Sequence, residues 1–176
     1  RALFVVAGGA ASTTVKVLTA DPNAPLFGEE VQSFVVPGGT NNDLELVETS
    51  PDNKHVAVFD RSLLVLELFD ATGAADGVIP NAVGNITGRN MSDLEFNPAG
   101  LILYFGDITT SQVGFMNTDV NSPQFGLNTG SMNIPGPAPV ETPMSLSVTP
   151  DGENLYALTQ QLTGPVARSL VHWPIN

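Results

Sequence analysis

Apolar and polar residues alternate along three short stretches of the chain, and each stretch runs into a proline turn. The turns read Ser-Pro-Asp-Asn, Asn-Pro-Ala-Gly and Thr-Pro-Asp-Gly, with their prolines at Pro51, Pro98 and Pro150. An apolar residue lies four positions before each proline. Alternation with a period of two is typical of a strand with one buried face, and proline followed by Asp, Asn or Gly favours a tight turn. These stretches therefore predict hairpins.

The same succession of strands recurs after each proline. The prolines are 47 and 52 residues apart, which indicates an internal repeat. Second strands are predicted at His55–Phe59, Leu101–Phe105 and Asn154–Leu158, and third strands at Leu63–Phe69, Gln112–Met116 and Arg168–Trp173. Weaker fourth strands are predicted around Gly77–Ile79 and Phe125–Leu127. Before the first proline repeat, three strands are predicted at Leu3–Ala7, Thr14–Leu18 and Glu30–Val36, without an opening strand.

A repeat of roughly 40–50 residues with four antiparallel strands predicts the blade of a β-propeller. The predicted fold class is therefore all-β, as a single propeller domain or propeller fragment with blades at about 1–42, 43–90, 91–142 and 143–176. The first blade lacks its inner strand and the last lacks its outer strand. Because propellers close into rings that leave no open blade edge, we expect a piece of a longer propeller. A partner that completes the end blades and a small four-bladed ring are the alternatives.

The repeats also resemble a known superfamily. Ser50 to Val58 reads Ser-Pro-Asp-Asn-Lys-His-Val-Ala-Val, and Leu-Phe-Asp-Ala-Thr-Gly follows at 68–73. Thr-Pro-Asp-Gly-Glu-Asn-Leu-Tyr-Ala-Leu at 149–158 is similar. About three-quarters of the chain thus resembles the blades of the YVTN/lactonase-like and WD40-like β-propeller superfamily. The resemblance implies the propeller fold and leaves the activity open, because propellers carry many functions.

Charge and composition exclude several classes of partner. Six basic residues stand against eighteen acidic ones, for a net charge of −12, so nucleic acid and anionic membrane surfaces are disfavoured. No apolar run is long enough to span a membrane as a helix. Cysteine is absent, which excludes disulfides and thiol chemistry. Few lysines with many Asn, Thr and Gly residues lead us to expect a periplasmic or extracellular protein.

Two aspartates are candidate metal ligands. Asp60 and Asp107 each lie nine residues after their repeat proline, where the third repeat has Thr159. The lactonase-like resemblance implies a divalent cation, such as Ca²⁺, held by carboxylates in a central channel, and carboxylates suit such hard cations. The alternative is that each Asp accepts hydrogen bonds from the turn that follows it. Otherwise no cofactor is expected.

Trp173 and His172 are the candidate ligand-binding residues. Trp173 is the single tryptophan and could stack on a sugar or peptide, or else pack between blades. His172 precedes it near the end of the last strand. The acidic residues around Leu44–Val47 are interpreted as solvated charges that protect strand edges from aggregation.

The sequence contains no phosphate-binding loop, EF-hand or nucleophile elbow. We therefore predict a non-catalytic binding or scaffold module of an extracytoplasmic protein, which presents a propeller face to a protein, glycan or small-molecule ligand. One alternative is a metal-dependent hydrolase of the lactonase-like kind. Another is a structural subunit of a surface assembly, in which the rest of a larger propeller or another copy of the chain completes the end blades.

Overall fold

The protein is all-β in a computed structural model that describes residues 2–6, 14–25, 27–37, 43–135, 141–161 and 167–175. These residues form fourteen strands and one short 3₁₀ helix, Ala74–Asp76. The strands are β1 (Ala2–Val6), β2 (Thr14–Thr19), β3 (Glu30–Val35), β4 (Leu44–Thr49), β5 (His55–Asp60), β6 (Val65–Asp70), β7 (Asn81–Thr87), β8 (Met91–Phe96), β9 (Ile102–Asp107), β10 (Gln112–Asn117), β11 (Asn128–Asn133), β12 (Glu141–Val148), β13 (Asn154–Gln161) and β14 (Arg168–Pro174). None of the helical residues described forms a segment long and apolar enough to cross a membrane.

The strands form four antiparallel sheets in two compact units. The first unit, Arg1–Gly88, contains sheet I (β1-β2-β3) and sheet II (β4-β5-β6-β7). The second unit, Arg89–Asn176, contains sheet III (β8-β9-β10-β11) and sheet IV (β12-β13-β14). Sequential strands are neighbours in every sheet, as hairpin connections require. The predicted count of three, four, four and three strands is confirmed among the described residues.

The core of the first unit lies between sheets I and II. Because side chains alternate between the two faces of a strand, one face of each sheet can be apolar throughout. The buried cluster comprises Phe4, Val15, Val17, Phe34, Val36, Leu44, Val56, Val58, Phe69, Ala71 and Ala74. Phe34 lies at its centre, with ring centroids 6.4 Å from Phe4 and 5.0 Å from Phe69.

Sheets III and IV enclose the core of the second unit. Tyr104 and Val113 of sheet III pack with Leu146, Leu155 and Ala157 of sheet IV. Partly buried residues surround this cluster: Ile102, Phe115, Met132, Val148, Trp173 and Ile175. Gly106 packs closely against sheet IV: an added Cβ would lie 3.2 Å from Pro143 Cβ, and 2.4 Å from Ser92 Oγ within sheet III. Only glycine fits that approach.

All three predicted proline turns are present with one geometry. The residue two positions after each proline donates its N–H to the carbonyl of the residue before the proline, at 2.8 Å in each case. The donors have positive φ: Asn53 at 58°, Gly100 at 71° and Gly152 at 75°. Asn and Gly tolerate this left-handed conformation best, which is why these residue types recur there.

The predicted outer strands were wrong in position. Gly77–Ile79 is a turn and loop after the 3₁₀ helix, and β7 begins at Asn81. Phe125–Leu127 likewise precedes β11, which begins at Asn128. The apolar residues that suggested strands are exposed, with Ile79 at 62%. Sheet IV opens at Glu141, two residues before its predicted boundary, and the boundary at 42 lies outside the described residues.

Candidate functional site

Asp60 lies at the end of β5 and holds the turn to β6. Its Oδ1 accepts hydrogen bonds from Ser62 Oγ at 2.7 Å, the Leu63 N–H at 3.1 Å and the Asp43 N–H at 3.3 Å. The residue is 2% exposed. Its second carboxylate oxygen, Oδ2, is buried and has no hydrogen-bond partner. Oδ1 therefore stabilises the turn, whereas Oδ2 is removed from water without gaining a hydrogen bond.

Asp107 occupies the equivalent place at the end of β9, and both of its oxygens are satisfied. Oδ1 accepts the Thr110 N–H at 3.2 Å, and Oδ2 accepts Thr110 Oγ1 at 2.6 Å. Arg89 Nη1 donates to the same Oδ2 at 2.6 Å. Both aspartates thus accept hydrogen bonds from the turns that follow them, which is the structural alternative considered for them.

The described residues contain no group of three or more His, Asp and Glu side chains placed to hold a metal ion. A cation shared by Asp60 and Asp107 stays a prediction. The third repeat places Thr159 at the equivalent position, where it donates a hydrogen bond to Glu141 Oε2. Ser169 Oγ donates to the other oxygen of Glu141 at 3.0 Å. Sequence reasoning missed Glu141, although it stands at the repeat position that Arg89 occupies one blade earlier.

Glu67 adds a second buried carboxylate to the first unit. It lies on β6 directly opposite Val58 of β5, and alternation puts it on the same face as Asp60. The residue is 9% exposed, and its Oε2 has no hydrogen-bond partner. Burial raises the pKa of the Glu67 carboxyl above its usual value, and the nearby Asp60 carboxylate raises it further. The sequence pattern gave no reason to single out this residue.

Two acidic side chains of β8 tie sheet III to sheet IV. Asp93 Oδ2 accepts the Leu146 N–H at 2.7 Å and Ser145 Oγ at 3.0 Å. Glu95 Oε1 accepts the Val148 N–H at 3.3 Å. These donors belong to the free edge of β12, so the carboxylates replace the partner strand that this edge lacks. Burial raises the pKa of Glu95 and the Asp93 carboxylate adds to that effect, against the opposing Val148 N–H.

The acidic residues flanking the opening strand of sheet II were interpreted as solvated charges. Glu45 pairs with Arg61 at 2.6 Å, and both side chains remain more than a third exposed. The repeat could have pointed to a structural role for an acidic residue at one position. Glu95, which bonds to sheet IV, and Glu48 both lie three residues before their repeat proline.

An apolar groove of about 260 Å³ opens in the second unit. It is lined by side chains from β9, β10, β11 and the end of β14: Ile102, Tyr104, Phe115, Met132, Pro174 and Ile175. The ring of Tyr104 is 6.4 Å from that of Phe115 and tilted by 61°. Burial raises the pKa of the Tyr104 hydroxyl, which is therefore un-ionised at neutral pH. The lining contains no nucleophile and no acid–base pair.

Trp173 and His172 lie on opposite faces of β14, since neighbouring residues of a strand alternate. Trp173 packs partly buried against the core that adjoins the groove. His172 is exposed, stacks on Tyr156 with centroids 5.1 Å apart, and lies 2.7 Å from Asn154 Oδ1 through Nε2. The two candidate ligand residues therefore do not form one platform, and a ligand role for either stays a prediction.

Neither a protein-family model nor a curated protein matches the sequence. Solved structures do match the fold. The β-propeller domain of Cps50 (Swd1) from Myceliophteria thermophila aligns over 99% of this chain and 50% of its own length, with a TM-score of 0.69 and 11% identity. Hydrazine synthase from Kuenenia stuttgartiensis aligns over 92% of this chain and 40% of its own, with a TM-score of 0.67 and 15% identity. This chain thus spans half or less of each matched structure. The predicted β-propeller fold is confirmed.

Proposed function

We propose that this chain is a non-catalytic binding module of an extracytoplasmic protein, and that the apolar groove of the second unit receives a side chain of a protein partner. The groove itself is the main observation. Ordinary small-molecule pockets measure roughly 300–1,000 Å³ and enclose most of their ligand, whereas this groove is smaller and open. It suits one or two anchoring side chains rather than an enclosed substrate.

The chemistry of the lining favours an aliphatic or aromatic anchor. Five of the six lining side chains carry no hydrogen-bonding oxygen or nitrogen, and Tyr104 supplies one hydroxyl. A glycan needs several convergent polar groups, which the lining does not offer. Aromatic and aliphatic anchors commonly supply most of the binding energy at protein interfaces. The net charge of −12 favours a partner with basic residues around the anchor.

The extracytoplasmic location rests on composition, and the hydrolase alternative rests on the lactonase-like resemblance; both stay predictions. A binding role agrees with the scaffold, because propeller faces present loops from a rigid framework. It also agrees with a groove whose lining lacks the paired groups that acid–base or nucleophilic catalysis requires.

Selection from a phage-displayed peptide library, followed by fluorescence anisotropy with the selected peptides, tests the proposal. We expect basic peptides with an aromatic or aliphatic anchor. Ile175→Asp places a charge at the groove and should weaken binding at least tenfold, since burying a large apolar side chain contributes about 1.5–3 kcal/mol and about 1.4 kcal/mol is tenfold. Val120→Asp, at a residue 62% exposed outside the lining, is the matched control. Equal binding to both variants would overturn the groove as the site.

A second candidate function, the subunit of a surface assembly, is supported by the outer face of sheet IV. Leu158 and Leu170 lie directly opposite each other on this face and are 39% and 69% exposed. The equivalent face of sheet III is covered by sheet IV, so that Tyr104 on that face is only 4% exposed. The outer face of sheet IV lacks such a cover among the described residues. Light scattering across a concentration series should show association that Leu170→Asp abolishes. A wild-type protein that stays monomeric throughout would count against this candidate.

A further inference from the structure

The two repeats that carry Asp60 and Asp107 differ in how they compensate the buried charge. Both aspartates are 2% exposed and both hold the following turn, Asp60 through Oδ1 and Asp107 through both of its oxygens. Asp107 Oδ2 faces the guanidinium of Arg89 at 2.6 Å. Asp60 Oδ2 has no partner, and the repeat position of Arg89 holds Asn42 one blade earlier. Among the residues that the structure describes in the first unit, no lysine or arginine forms an ion pair with Asp60, whereas Arg89 pairs with Asp107 in the second unit.

A further difference brings a second carboxylate to Asp60. In sheet III, Gly114 lies opposite Phe105, whose ring occupies the space that a side chain at 114 would need, with 2.2 Å to an added Cβ. In sheet II the same pair of positions holds Glu67 opposite Val58. The smaller valine leaves room for a longer side chain, and that side chain is acidic.

Asp60 and Glu67 are diagonal neighbours on one face of β5 and β6. Such neighbours lie roughly 7–8 Å apart at the backbone, so a single ion between two extended carboxylates is within reach of both. The negative charge of Asp60 adds to burial in raising the pKa of the Glu67 carboxyl. Arg61, next along the chain, is engaged by Glu45 at 2.6 Å. Two buried carboxylate oxygens without partners are costly unless a cation compensates them.

We propose that Asp60 and Glu67 bind a hard divalent cation of the Ca²⁺ class in the first unit, in place of the arginine that compensates the equivalent aspartate of the second unit. Asp60 Oδ2 and Glu67 Oε2 are the protein ligands. An ion of this class takes about six to eight oxygen ligands, so water oxygens supply the rest of the coordination shell. This site is independent of the groove, and it takes the Asp60 oxygen that a cation shared with Asp107 would also need.

Calorimetric titration of the chelator-treated protein with CaCl₂, with thermal unfolding followed in parallel, tests the proposal. We expect one ion bound per chain and an unfolding midpoint that rises with Ca²⁺ concentration, because an ion that binds only the folded state stabilises it. Glu67→Gln keeps the side-chain size and removes the charge, and it should weaken Ca²⁺ binding at least tenfold. Asp76→Asn, which removes an exposed carboxylate of the same unit, is the matched control and should leave binding unchanged.

The competing explanation is a proton on Glu67 instead of a metal ion. It predicts no Ca²⁺, Mg²⁺ or Mn²⁺ binding up to roughly 10 mM, well above the about 0.1–1 mM typical of extracellular Ca²⁺ modules, and that result would overturn the proposal. Equal affinity in the wild-type protein and Glu67→Gln would overturn it as well. Circular dichroism establishes that each variant is folded, so loss of binding cannot be confused with loss of structure.

Discussion

Replacing Asp93 with alanine removes two hydrogen bonds between sheets III and IV. Asp93 Oδ2 accepts two hydrogen bonds from β12, one from the Leu146 N–H at 2.7 Å and one from Ser145 Oγ at 3.0 Å. Leu146 is 6% exposed, so its N–H has little access to water once the carboxylate is gone. The substitution therefore leaves a poorly solvated donor in addition to breaking a charge-assisted bond.

The expected cost follows from those contacts. A hydrogen bond to a charged group contributes about 1.5–3 kcal/mol, and an unpaired buried donor costs about 1–3 kcal/mol. These two figures describe the same loss, and Ser145 is exposed, so we expect Asp93→Ala to lower the free energy of unfolding by about 2 kcal/mol. Asp93→Asn keeps a neutral acceptor and should lose about half as much.

Urea unfolding followed by tryptophan fluorescence measures this directly, because Trp173 is the only tryptophan and belongs to the second unit. The urea concentrations at the unfolding midpoints are compared, provided that the slope of the unfolding free energy against urea concentration is the same in each variant. Glu153→Ala is the control, since this carboxylate is exposed in the same unit and such changes usually stay within about 0.5 kcal/mol. If Asp93→Ala and Glu153→Ala unfold at the same urea concentration, the inter-sheet bonds do not stabilise the unit and the reasoning is wrong.

Three further predictions concern the second unit. Gly114→Ala should destabilise it by about 1–3 kcal/mol in the same assay, because the new Cβ would lie 2.2 Å from the Phe105 ring; an unchanged midpoint would show that the ring moves freely. Arg89→Met should cost about 3 kcal/mol by leaving the buried Asp107 carboxylate without its cation, and adding Asp107→Asn should recover part of the loss. Burial raises the pKa of Glu95 above 4.5 in the folded protein. Protonated Glu95 therefore stabilises the fold at a pH below the pKa of the unfolded chain, and this stabilisation is lost as the pH rises through the higher pKa of the folded state. The stability of the wild-type protein relative to Glu95→Gln should therefore fall as the pH rises above 4.5, and parallel pH profiles would refute this.

Local chemistry explains why the hairpins were predictable. The turns at Pro51, Pro98 and Pro150 depend on residues within a few positions of each other: a proline with fixed φ and an Asn or Gly with positive φ two positions later. The second strands of sheets II and III are detectable as apolar runs because they are buried on both faces. The outer strands do not follow this rule. β11 reads Asn-Thr-Gly-Ser-Met-Asn and is largely exposed, so it carries no apolar period to detect.

The candidate sites were predictable only in part. The repeat position identified Asp60, and the turn that follows it explained one oxygen. Whether the other oxygen of Asp60 finds a partner depends on residues that lie elsewhere in the sequence, and the repeat spacing does not identify them. Glu67 reaches Asp60 through the pairing of β5 with β6, and the apolar groove unites side chains from Ile102 to Ile175.

The sequence by itself determined the repeat, the turns and the all-β class, because each depends on interactions between residues close together along the chain. Tertiary structure alone decided which charges are compensated, which acids bridge neighbouring sheets and where an apolar surface stays open. Those outcomes depend on the free energy of removing side chains from water, and burial is set by the packing of strands that lie far apart in the chain. Two aspartates at one repeat position therefore have different surroundings, one beside Arg89 and the other beside Glu67.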